Sequence, residues 1–455
     1  MRNIHLLYTL LFGVAVFLFF GLAYPQHLHY QEQFQLFLFD GNYVCDIVSR
    51  PGGVADLLGR FCTQFFLYAW VGAAIIAVLL LAVQLLTLRL AKWGWLYGLS
   101  FVPSLLLWLF LLDENALLGG VWAVLLTMLA IWGLGRLPSG WIRRILIIVA
   151  IPIVYWMVGP AWTGSHYHRY PTVFPTLLYA AWLSALVFPF IVRALHKKAT
   201  TSKHYAVMLS SFAVVAVVMG CLVWKNSNFK AEKVMKYDFM ARFQQWNRIL
   251  ETINTERPNN QIGVTVQNLA LGMHGMLADH LLDYNQNGLL GLLPDVGTDA
   301  TSPLPTAEAF YQLGMITVAQ RTVFEAQEAI LDFQKSGRCY KRLAETNLIL
   351  GSYEVARKYL TALQKTIFYR DWANETLPLL GNEEAIAKHP EYGRLRQFLY
   401  QEDFYFGDHV TAEMLEKLYF SHTDNRLALE YLKAYYMLTG DRDGYAKLLH
   451  HSVQQ

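Results

Sequence analysis

Residues 65–88 read FFLYAWVGAAIIAVLLLAVQLLTL, and this stretch decides the class of fold. It contains no Asp, Glu, Lys or Arg. An α-helix of this length rises more than ~30 Å, which is enough to cross the hydrocarbon core of a bilayer. We therefore expect a transmembrane helix at this position.

Comparable apolar stretches recur through the first half of the chain. Seven candidate spans can be read, approximately Ile4–Tyr24, Phe65–Leu88, Gly94–Leu112, Ala116–Leu134, Ile145–Gly159, Val173–Leu195 and Ala206–Trp224. None of them has an Asp, Glu, Lys or Arg away from its ends, which argues against an ion transporter or a pump. The sequence predicts a polytopic α-helical membrane domain over residues 1–224.

Composition supports a membrane protein with a second, more polar domain. The chain of 455 residues is 55% hydrophobic and only 16% charged, whereas soluble domains average about 25% charged residues. Charge is spread through residues 225–455, which we expect to form a separate domain. The net charge of +3 is small and dispersed, so no nucleic acid partner is expected.

Lys and Arg resist translocation, so their distribution in the short loops predicts the orientation of the spans. With the N-terminus inside, the cytoplasmic segments hold Arg2, Arg89, Lys92, Arg136, Arg143, Arg144, Arg193, Lys197, Lys198 and Lys203. The opposite loops hold only Arg50, Arg60 and Arg169. This bias predicts a cytoplasmic N-terminus and an extracytoplasmic domain after Trp224. The compact loops and the absence of eukaryotic sorting signals suggest a bacterial inner-membrane protein, in which this domain is periplasmic.

Residues 225–455 are expected to be helical, because apolar side chains recur at three- and four-residue intervals. One segment resembles a tetratricopeptide helix pair through Tyr340, Leu343, Ala344, Leu348, Leu350, Gly351, Tyr353, Ala356, Tyr359 and Leu360. Gly440 echoes Gly351, but their separation is no multiple of the ~34-residue period. We therefore expect an all-α chain that ends in an irregular tetratricopeptide-like α-solenoid.

Such a solenoid would present a concave surface to a protein or peptide partner, besides the lipid bilayer that the spans contact. For any single aromatic or leucine position, a simple core role is the alternative. The segment from Asn285 to Pro305 is rich in Gly and Pro, and we expect a long loop there.

The first outside loop, residues 25–64, is longer than a connector requires. Its polar residues are His27, His29, Glu32, Asp40, Asp46, Arg50, Asp56 and Arg60. Its apolar stretches, Phe34–Phe39 and Val54–Phe61, are expected to form interfacial or re-entrant helices. The second loop adds Asp113 and Glu114, and the third adds His166, His168 and Arg169.

These loop residues could converge at one membrane face and bind a lipid-linked phosphate, with a carboxylate as general base and Arg169 on the phosphate. The alternative is that they are solvated loop residues. No spacing is diagnostic of a metal site, and neither a metal nor another cofactor is expected. Cys45 and Cys62 share the first loop, but spacing alone does not establish a disulfide.

Two segments of the first loop, YQEQFQLFLF at residues 30–39 and SRPGGVADLLGRF at residues 49–61, carry a family resemblance. They resemble an uncharacterised bacterial family of multi-pass membrane proteins typical of Bacteroidota, with a tetratricopeptide-like region at the C-terminal end. The resemblance implies this architecture and a bacterial origin, but it assigns no catalytic residues.

The chain also looks, more loosely, like the multi-spanning glycosyltransferases that use polyprenyl-phosphate donors. Those enzymes follow their first span with a long outside loop that bears an acidic catalytic residue and interfacial helices. The likeness makes Asp40 and Glu32 the catalytic candidates. His166, His168, Arg169 and Arg50 are then the candidates for binding the lipid phosphate or another ligand.

Two functions from different classes follow. The first hypothesis is an inner-membrane protein that presents its periplasmic helical domain for protein or peptide binding in envelope assembly. The alternative is a membrane glycosyltransferase-like enzyme that takes a lipid-linked donor at the outer membrane face. A deep polar cavity at the outer membrane face that unites residues of loops one and three would favour the enzyme, and flat, packed loops under a grooved solenoid would favour the scaffold.

Overall fold

A computed structural model describes residues 2–91, 93–163, 175–196, 204–330, 334–400 and 411–453. These residues form helices and their connections, with one isolated β-bridge between Asn287 and Leu289 and no strand among them. The predicted all-α class is therefore confirmed. The chain divides into two compact units, Met1–Glu232 and Lys233–Gln455.

The helices of the first unit are numbered along the chain. They are α1 (Arg2–Leu18), α2 (Pro25–Glu32), α3 (Gly41–Val48), α4 (Gly53–Thr63), α5 (Ala69–Leu90), α6 (Val102–Phe110), α7 (Leu118–Arg136), α8 (Trp141–Thr163), α9 (Pro175–His196) and α10 (His204–Asn226). A π-helical turn, Phe19–Ala23, extends α1. The 3₁₀ segments Gln64–Leu67 and Gly94–Phe101 precede α5 and α6.

Several of these helices are long and apolar enough to cross a membrane. Five qualify among the described residues: His5–Ala23, Ala69–Leu90, Leu118–Arg136, Trp141–Gly159 and Leu209–Asn226. Two further apolar helical segments, Leu96–Phe110 and Thr176–Val192, are shorter. The five match the first, second, fourth, fifth and seventh predicted spans. The length and apolar composition of these helices therefore support the first unit as a membrane domain.

The first outside loop is folded, but only partly as predicted. Val54–Phe61 lies inside α4, whereas residues 35–40 are not helical, so the predicted helix over Phe34–Phe39 is wrong. The Phe37 ring packs edge to face against Phe61, with centroids 5.4 Å apart. The Tyr43 hydroxyl donates to the Leu36 carbonyl at 2.9 Å. These tertiary contacts hold the aromatic segment in a non-helical conformation.

Helix α4 is held against the span α7 by two small residues. A Cβ added to Gly59 would lie 2.5 Å from the backbone nitrogen of Gly119, so the two backbones are in direct contact there. Ala55, one turn earlier on α4, is fully buried in a cluster with Ala123 and Val158. Close backbone approach through small residues is how helices pack within membranes. The first loop is thereby fixed on the spans.

The second unit continues the numbering. Its helices are α11 (Phe229–Arg242), inside which the boundary between the units falls, α12 (Trp246–Glu256), α13 (Gln261–Met273), α14 (Leu277–His280), α15 (Pro303–Leu313), α16 (Ile316–Ala329), α17 (Gly337–Ile349), α18 (Tyr353–Leu363), α19 (Arg370–Thr376), α20 (Glu383–Lys388), α21 (Tyr392–Gln397), α22 (Thr411–Ser421), α23 (Arg426–Thr439) and α24 (Arg442–Val453).

Consecutive helices in this unit form hairpins that turn at glycine. Gly314, Gly351 and Gly440 have φ of +93°, +80° and +73°, the left-handed region that favours glycine. They connect α15 to α16, α17 to α18 and α23 to α24. In the hairpin that resembles a tetratricopeptide pair, Ala344 and Ala356 are fully buried. Small side chains therefore occupy the seam between its helices.

A buried ionic cluster crosses three helices of the same unit. Arg342 on α17 binds Glu308 on α15 at 2.6 Å and Glu345 at 2.8 Å. The neighbouring Arg338 makes two bonds of 2.7 and 2.8 Å to Asp238 on α11. Arg342 also lies over the Tyr311 ring, 3.6 Å from its centroid. Because each buried charge has a partner, the cluster specifies how α11, α15 and α17 pack.

Candidate functional site

The most unusual feature of the first unit is a run of buried polar side chains in α2 and the turn after it. They are His27, His29, Gln31, Glu32, Gln33 and Gln35, each at most 9% exposed. Burying a polar group costs free energy unless the fold supplies a hydrogen-bond partner. A run of six is therefore more than a core requires, and it marks this region as the candidate site.

The N-terminus of α2 is held by a carboxylate from much later in the chain. The backbone N–H groups of Gln26 and His27 donate to the two Glu232 oxygens at 2.7 and 2.9 Å. Pro25 occupies the first turn, where no N–H is needed. Burial raises the pKa of Glu232 to about 7, although both backbone bonds act to lower it. Glu232 thus positions the polar run.

His27 is neutral at the pH of the cell. Burial lowers the pKa of His27 to about 4, and its bond to the Leu111 carbonyl offsets only part of that effect. Nε2 donates to this carbonyl at 2.9 Å, which leaves Nδ1 as the unprotonated acceptor. Nδ1 is buried and has no hydrogen-bond partner among the described residues. The ring therefore offers a lone pair inside the site.

Gln31 fastens the second outside loop to α2. Its side-chain Nε2 donates to the carbonyls of Ala116 and Asp113 at 3.1 and 3.4 Å. The Asp113 carboxylate accepts the backbone N–H of Asn115 at 2.9 Å, which closes a turn within the second loop. Loops one and two, far apart in the sequence, are therefore a single polar structure.

A small cleft opens between these loops, with a volume of about 10 Å³. That is room for about one water molecule. The cleft is lined by Gln31, Phe34, Gln35, Thr63, Glu114, Asn115, Ala116 and Leu117. The side-chain amide nitrogen of Gln35 is buried without a partner among the described residues. The cleft thus holds a free donor beside the Glu114 carboxylate.

Asp113 lies next to the cleft residue Glu114 and is a carboxylic acid with a raised pKa. It is partly exposed, unlike the residues of the polar run. Burial raises its pKa to about 6, the Asn115 N–H opposes the shift, and the adjacent Glu114 adds to it. A base whose pKa lies near the working pH is largely unprotonated at that pH and still binds a proton strongly enough to accept it. Perturbed carboxylates beside a cleft are typical of active sites.

The residues that the sequence predicted for the site have different roles in the structure. Glu32 is 5% exposed and ends α2 beside Gln31 and Gln33, in the polar run. Asp40 is the N-cap of α3 and accepts the N–H groups of Asn42 and Tyr43 at 3.0 and 3.2 Å. Its environment is that of a capping residue.

Arg50 is exposed, and its Nε donates to the Asp46 carbonyl at 3.0 Å. The other three predicted ligand-binding residues, His166, His168 and Arg169, lie outside the described residues. Cys45 is exposed, Cys62 is buried, and both are free thiols. Within the described ranges, no group of three or more His, Cys, Asp and Glu residues is placed to hold a metal ion.

Two residues important to this geometry were not among the predicted site residues. Asp113 follows a predicted span and sits beside a second carboxylate, so its position in an outside loop was a usable signal. Glu232 gave no such signal, because its partners Gln26 and His27 are more than 200 positions away.

Comparison with known proteins places the chain in a family. A family model described as a family of unknown function, DUF6057, matches residues 1–165 and 160–454, nearly the whole chain. The chain therefore belongs to this family, which confirms that it is a member of an uncharacterised group. Neither the curated proteins nor the solved structures contain a match.

Proposed function

We propose that this member of DUF6057 is a membrane transferase that moves a sugar from a polyprenyl phosphate to an acceptor hydroxyl at the outer face of the bacterial inner membrane. The observation that carries the proposal is the hydrogen bond from the Gln31 side chain of the buried polar run to the Asp113 main-chain carbonyl at 3.4 Å, next to a carboxyl group whose pKa burial raises to about 6. Such a site suits proton transfer at a water-poor interface.

We infer that seven segments cross the membrane. The sixth, α9, has 22 residues and is about 33 Å long. The third joins 8 residues of 3₁₀ helix to 9 residues of α6. Because a 3₁₀ helix rises ~2.0 Å per residue, this segment reaches about 30 Å, close to the thickness of the hydrocarbon core.

Seven crossings also suit the charges. Arg136, Arg143 and Arg144 lie between the fourth and fifth crossings, where the cytoplasmic side is expected when the N-terminus is inside. If only the five longest segments crossed, these three arginines would lie outside, against the rule. Seven crossings place loops one and two, and so the cleft, on the outer face together with the second unit.

The reaction is a substitution at the anomeric carbon of the donor sugar. The bond from this carbon to the phosphate oxygen breaks, and a bond from the same carbon to the acceptor oxygen forms. The acceptor proton passes to Asp113, and the lipid leaves as polyprenyl phosphate. In this scheme the acceptor hydroxyl occupies the cleft and accepts from the Gln35 amide, and Glu32 is a second, buried carboxylate of the same polar run.

An apolar groove in the spans favours a lipid-linked donor. It has a volume of about 310 Å³ and lies between α7, α8 and α9, with Ile131, Ile151 and Val154 in its lining. The groove is almost entirely apolar and opens among membrane helices. An isoprenoid chain is flexible and apolar, so it matches this groove through close van der Waals packing.

The test supplies the purified chain in nanodiscs with a polyprenyl-phosphate sugar and a panel of hydroxyl-bearing acceptors, and it measures the release of polyprenyl phosphate and the formation of the glycosylated acceptor by mass spectrometry. Asp113→Asn should lower the rate ~100-fold or more, because a general base contributes about that factor. For the wild type, the rate should rise with pH and level off above about 6, where Asp113 is ionised.

The matched control is Asp46→Asn, which changes an exposed carboxylate of the first loop. It should keep the wild-type rate. Equal rates for Asp113→Asn and the wild type would contradict the proposal. The absence of polyprenyl phosphate release by the wild type from a panel of such donors would also contradict it.

A second function is favoured by the glycine-turned hairpins of the second unit, which are consistent with an irregular tetratricopeptide-like solenoid. We propose that this unit binds a protein or peptide partner in the periplasm. The two functions are compatible, because a transferase needs its acceptor nearby. Deletion of residues 233–455 should then abolish partner capture by the membrane protein.

A further inference from the structure

A second cavity, larger than the membrane cleft, lies entirely within the unit Lys233–Gln455. Its volume is about 490 Å³, within the range of ~300–1,000 Å³ typical of ligand sites. The first turns of α13 and α15 form one side, and residues of the loop 284–302 form the other. The cavity touches none of the residues proposed for catalysis.

The loop wall of this cavity is fixed by buried amides. The Asn268 side-chain nitrogen donates to the Gly291 carbonyl at 2.9 Å, and that of Gln267 donates to the Asn285 carbonyl at 3.3 Å. Both side chains are fully buried on α13. The loop is therefore held on the helix, and the cavity is preformed.

Thr265 supplies an unused polar group inside the cavity. It lines the cavity at 1% exposure, and its hydroxyl has no hydrogen-bond partner among the described residues. A threonine inside a helix commonly donates to the carbonyl four residues earlier. Thr322 does so on α16, at 2.7 Å from the Val318 carbonyl. The Thr265 hydroxyl remains available to a ligand.

The N-terminus of α13 adds donors beside this hydroxyl. Asn260 caps the helix by accepting the Gly263 N–H at 2.8 Å. The N–H groups of Gln261 and Ile262, in the same turn, have no carbonyl within the helix to bond. Both residues line the cavity. Two N–H groups without a helical partner and the Thr265 hydroxyl therefore belong to residues that line the same side of the cavity.

The opposite side is apolar and carries one carboxylate. Leu290 and Pro294 face the donors, and Asp295 lies next to them. The lining residues include no aromatic side chain on which a sugar ring could stack. What remains is a ligand with carbonyl acceptors and an apolar side chain.

We propose that this cavity binds an extended peptide segment of a partner protein. Its main-chain carbonyls accept from the first turn of α13 and from Thr265, and an apolar side chain packs against Leu290 and Pro294. The proposal rests on the binding role suggested above for the second unit, and it names the site and the chemical class of the partner.

The experiment uses the full-length chain in nanodiscs and a pool of acetylated, amidated hexapeptides of random sequence. Peptides retained by the protein are identified by mass spectrometry. The wild type should enrich peptides that contain leucine, isoleucine or valine. Thr265→Val should weaken their binding about tenfold, as expected for one hydrogen bond. Leu290→Glu should abolish it, because it places a charge on the apolar wall.

The matched control is Thr322→Val, which changes a buried threonine whose hydroxyl is already bonded. It should retain peptide binding. Thr265→Val should melt at or above the wild-type temperature, because it removes a buried hydroxyl without a partner. Loss of binding by this variant then reflects the site and not unfolding.

The outcomes separate this inference from the functions on which it rests. If the Thr265→Val and Leu290→Glu variants both still enrich peptides, the second unit binds peptides, but not in this cavity, and the proposed site is wrong. No enrichment by the wild type would overturn both. Glu32→Gln should leave peptide binding unchanged, because Glu32 belongs to the proposed transferase site and not to this cavity. The peptide-binding result therefore does not depend on whether the transferase proposal holds.

Discussion

At the scale of single residues, burial separates the carboxylates that a sequence treats alike. Glu32, Asp40, Asp46 and Asp113 all occur in loops between predicted spans. In the structure Glu32 is buried, Asp46 is exposed, Asp40 caps a helix, and the pKa of Asp113 is raised to about 6 by burial. The chemistry open to each carboxylate follows from these environments.

Asp40 provides a direct test of this distinction. Asn is as good an N-cap as Asp, so Asp40→Asn should leave the transfer rate and the melting temperature unchanged. Asp40→Ala removes the cap and should cost ~0.5–2 kcal/mol of stability, measured by thermal unfolding in detergent. If Asp40→Asn abolished transfer at normal abundance, Asp40 would be catalytic and the assignment to Asp113 would be wrong.

Sequence reasoning at this scale identified the acidic character of the loops and made Glu32 a catalytic candidate, which stays a prediction. It could not find the Glu232 cap, because a contact between residues 26 and 232 depends on the tertiary fold. It also made Asp40 a catalytic candidate, because a one-dimensional pattern does not distinguish a capping carboxylate from a base.

At the scale of elements, helix packing decides the geometry of the site. The helix α4 in the first loop contacts α7 through Gly59 and Gly119, and α7 begins directly after the cleft residues Ala116 and Leu117. Continuous apolar stretches predicted a helix over Val54–Phe61 and seven spans, of which five match helices long and apolar enough to cross a membrane among the described residues. The apolar residues 34–39 predict a helix that the structure does not contain. The reason is that the Phe37–Phe61 packing and the hydrogen bond from Tyr43 to Leu36 are tertiary contacts, which the sequence does not reveal.

The packing of α4 can be tested by replacing one glycine. In Gly59→Ala the new Cβ would lie 2.5 Å from the Gly119 nitrogen, so the helices must separate. Overpacking of this kind costs ~1–3 kcal/mol, and the melting temperature in detergent should fall. Transfer activity should fall as well, because the cleft residues Ala116 and Leu117 directly precede α7 and are displaced when α7 moves.

Gly133→Ala is the control on α7, since nothing lies within 4 Å of the Cβ that it adds. It should be neutral or slightly stabilising, because alanine has the higher helix propensity. Equal melting temperatures for the Gly59 and Gly133 variants would contradict the close contact between α4 and α7.

At the scale of the whole molecule, composition and charge were enough to predict two different parts. The apolar first part and the charged, helical second part follow from hydropathy and periodicity, since both depend on the average character of many residues. The ligand cavity beside Thr265 could not be predicted in this way. It depends on a loop held by Gln267 and Asn268, two side chains that a sequence cannot place.

The central claim is that the chain crosses the membrane an odd number of times and places the cleft and the second unit on the outer face. Alkaline phosphatase folds only outside the cytoplasm, so its activity as a fusion partner reports the side directly. A fusion after Gln455 should be active and a fusion after Lys198 inactive, because Lys198 follows the sixth predicted crossing. The reverse pattern would contradict the account, since both proposed sites would then face the cytoplasm.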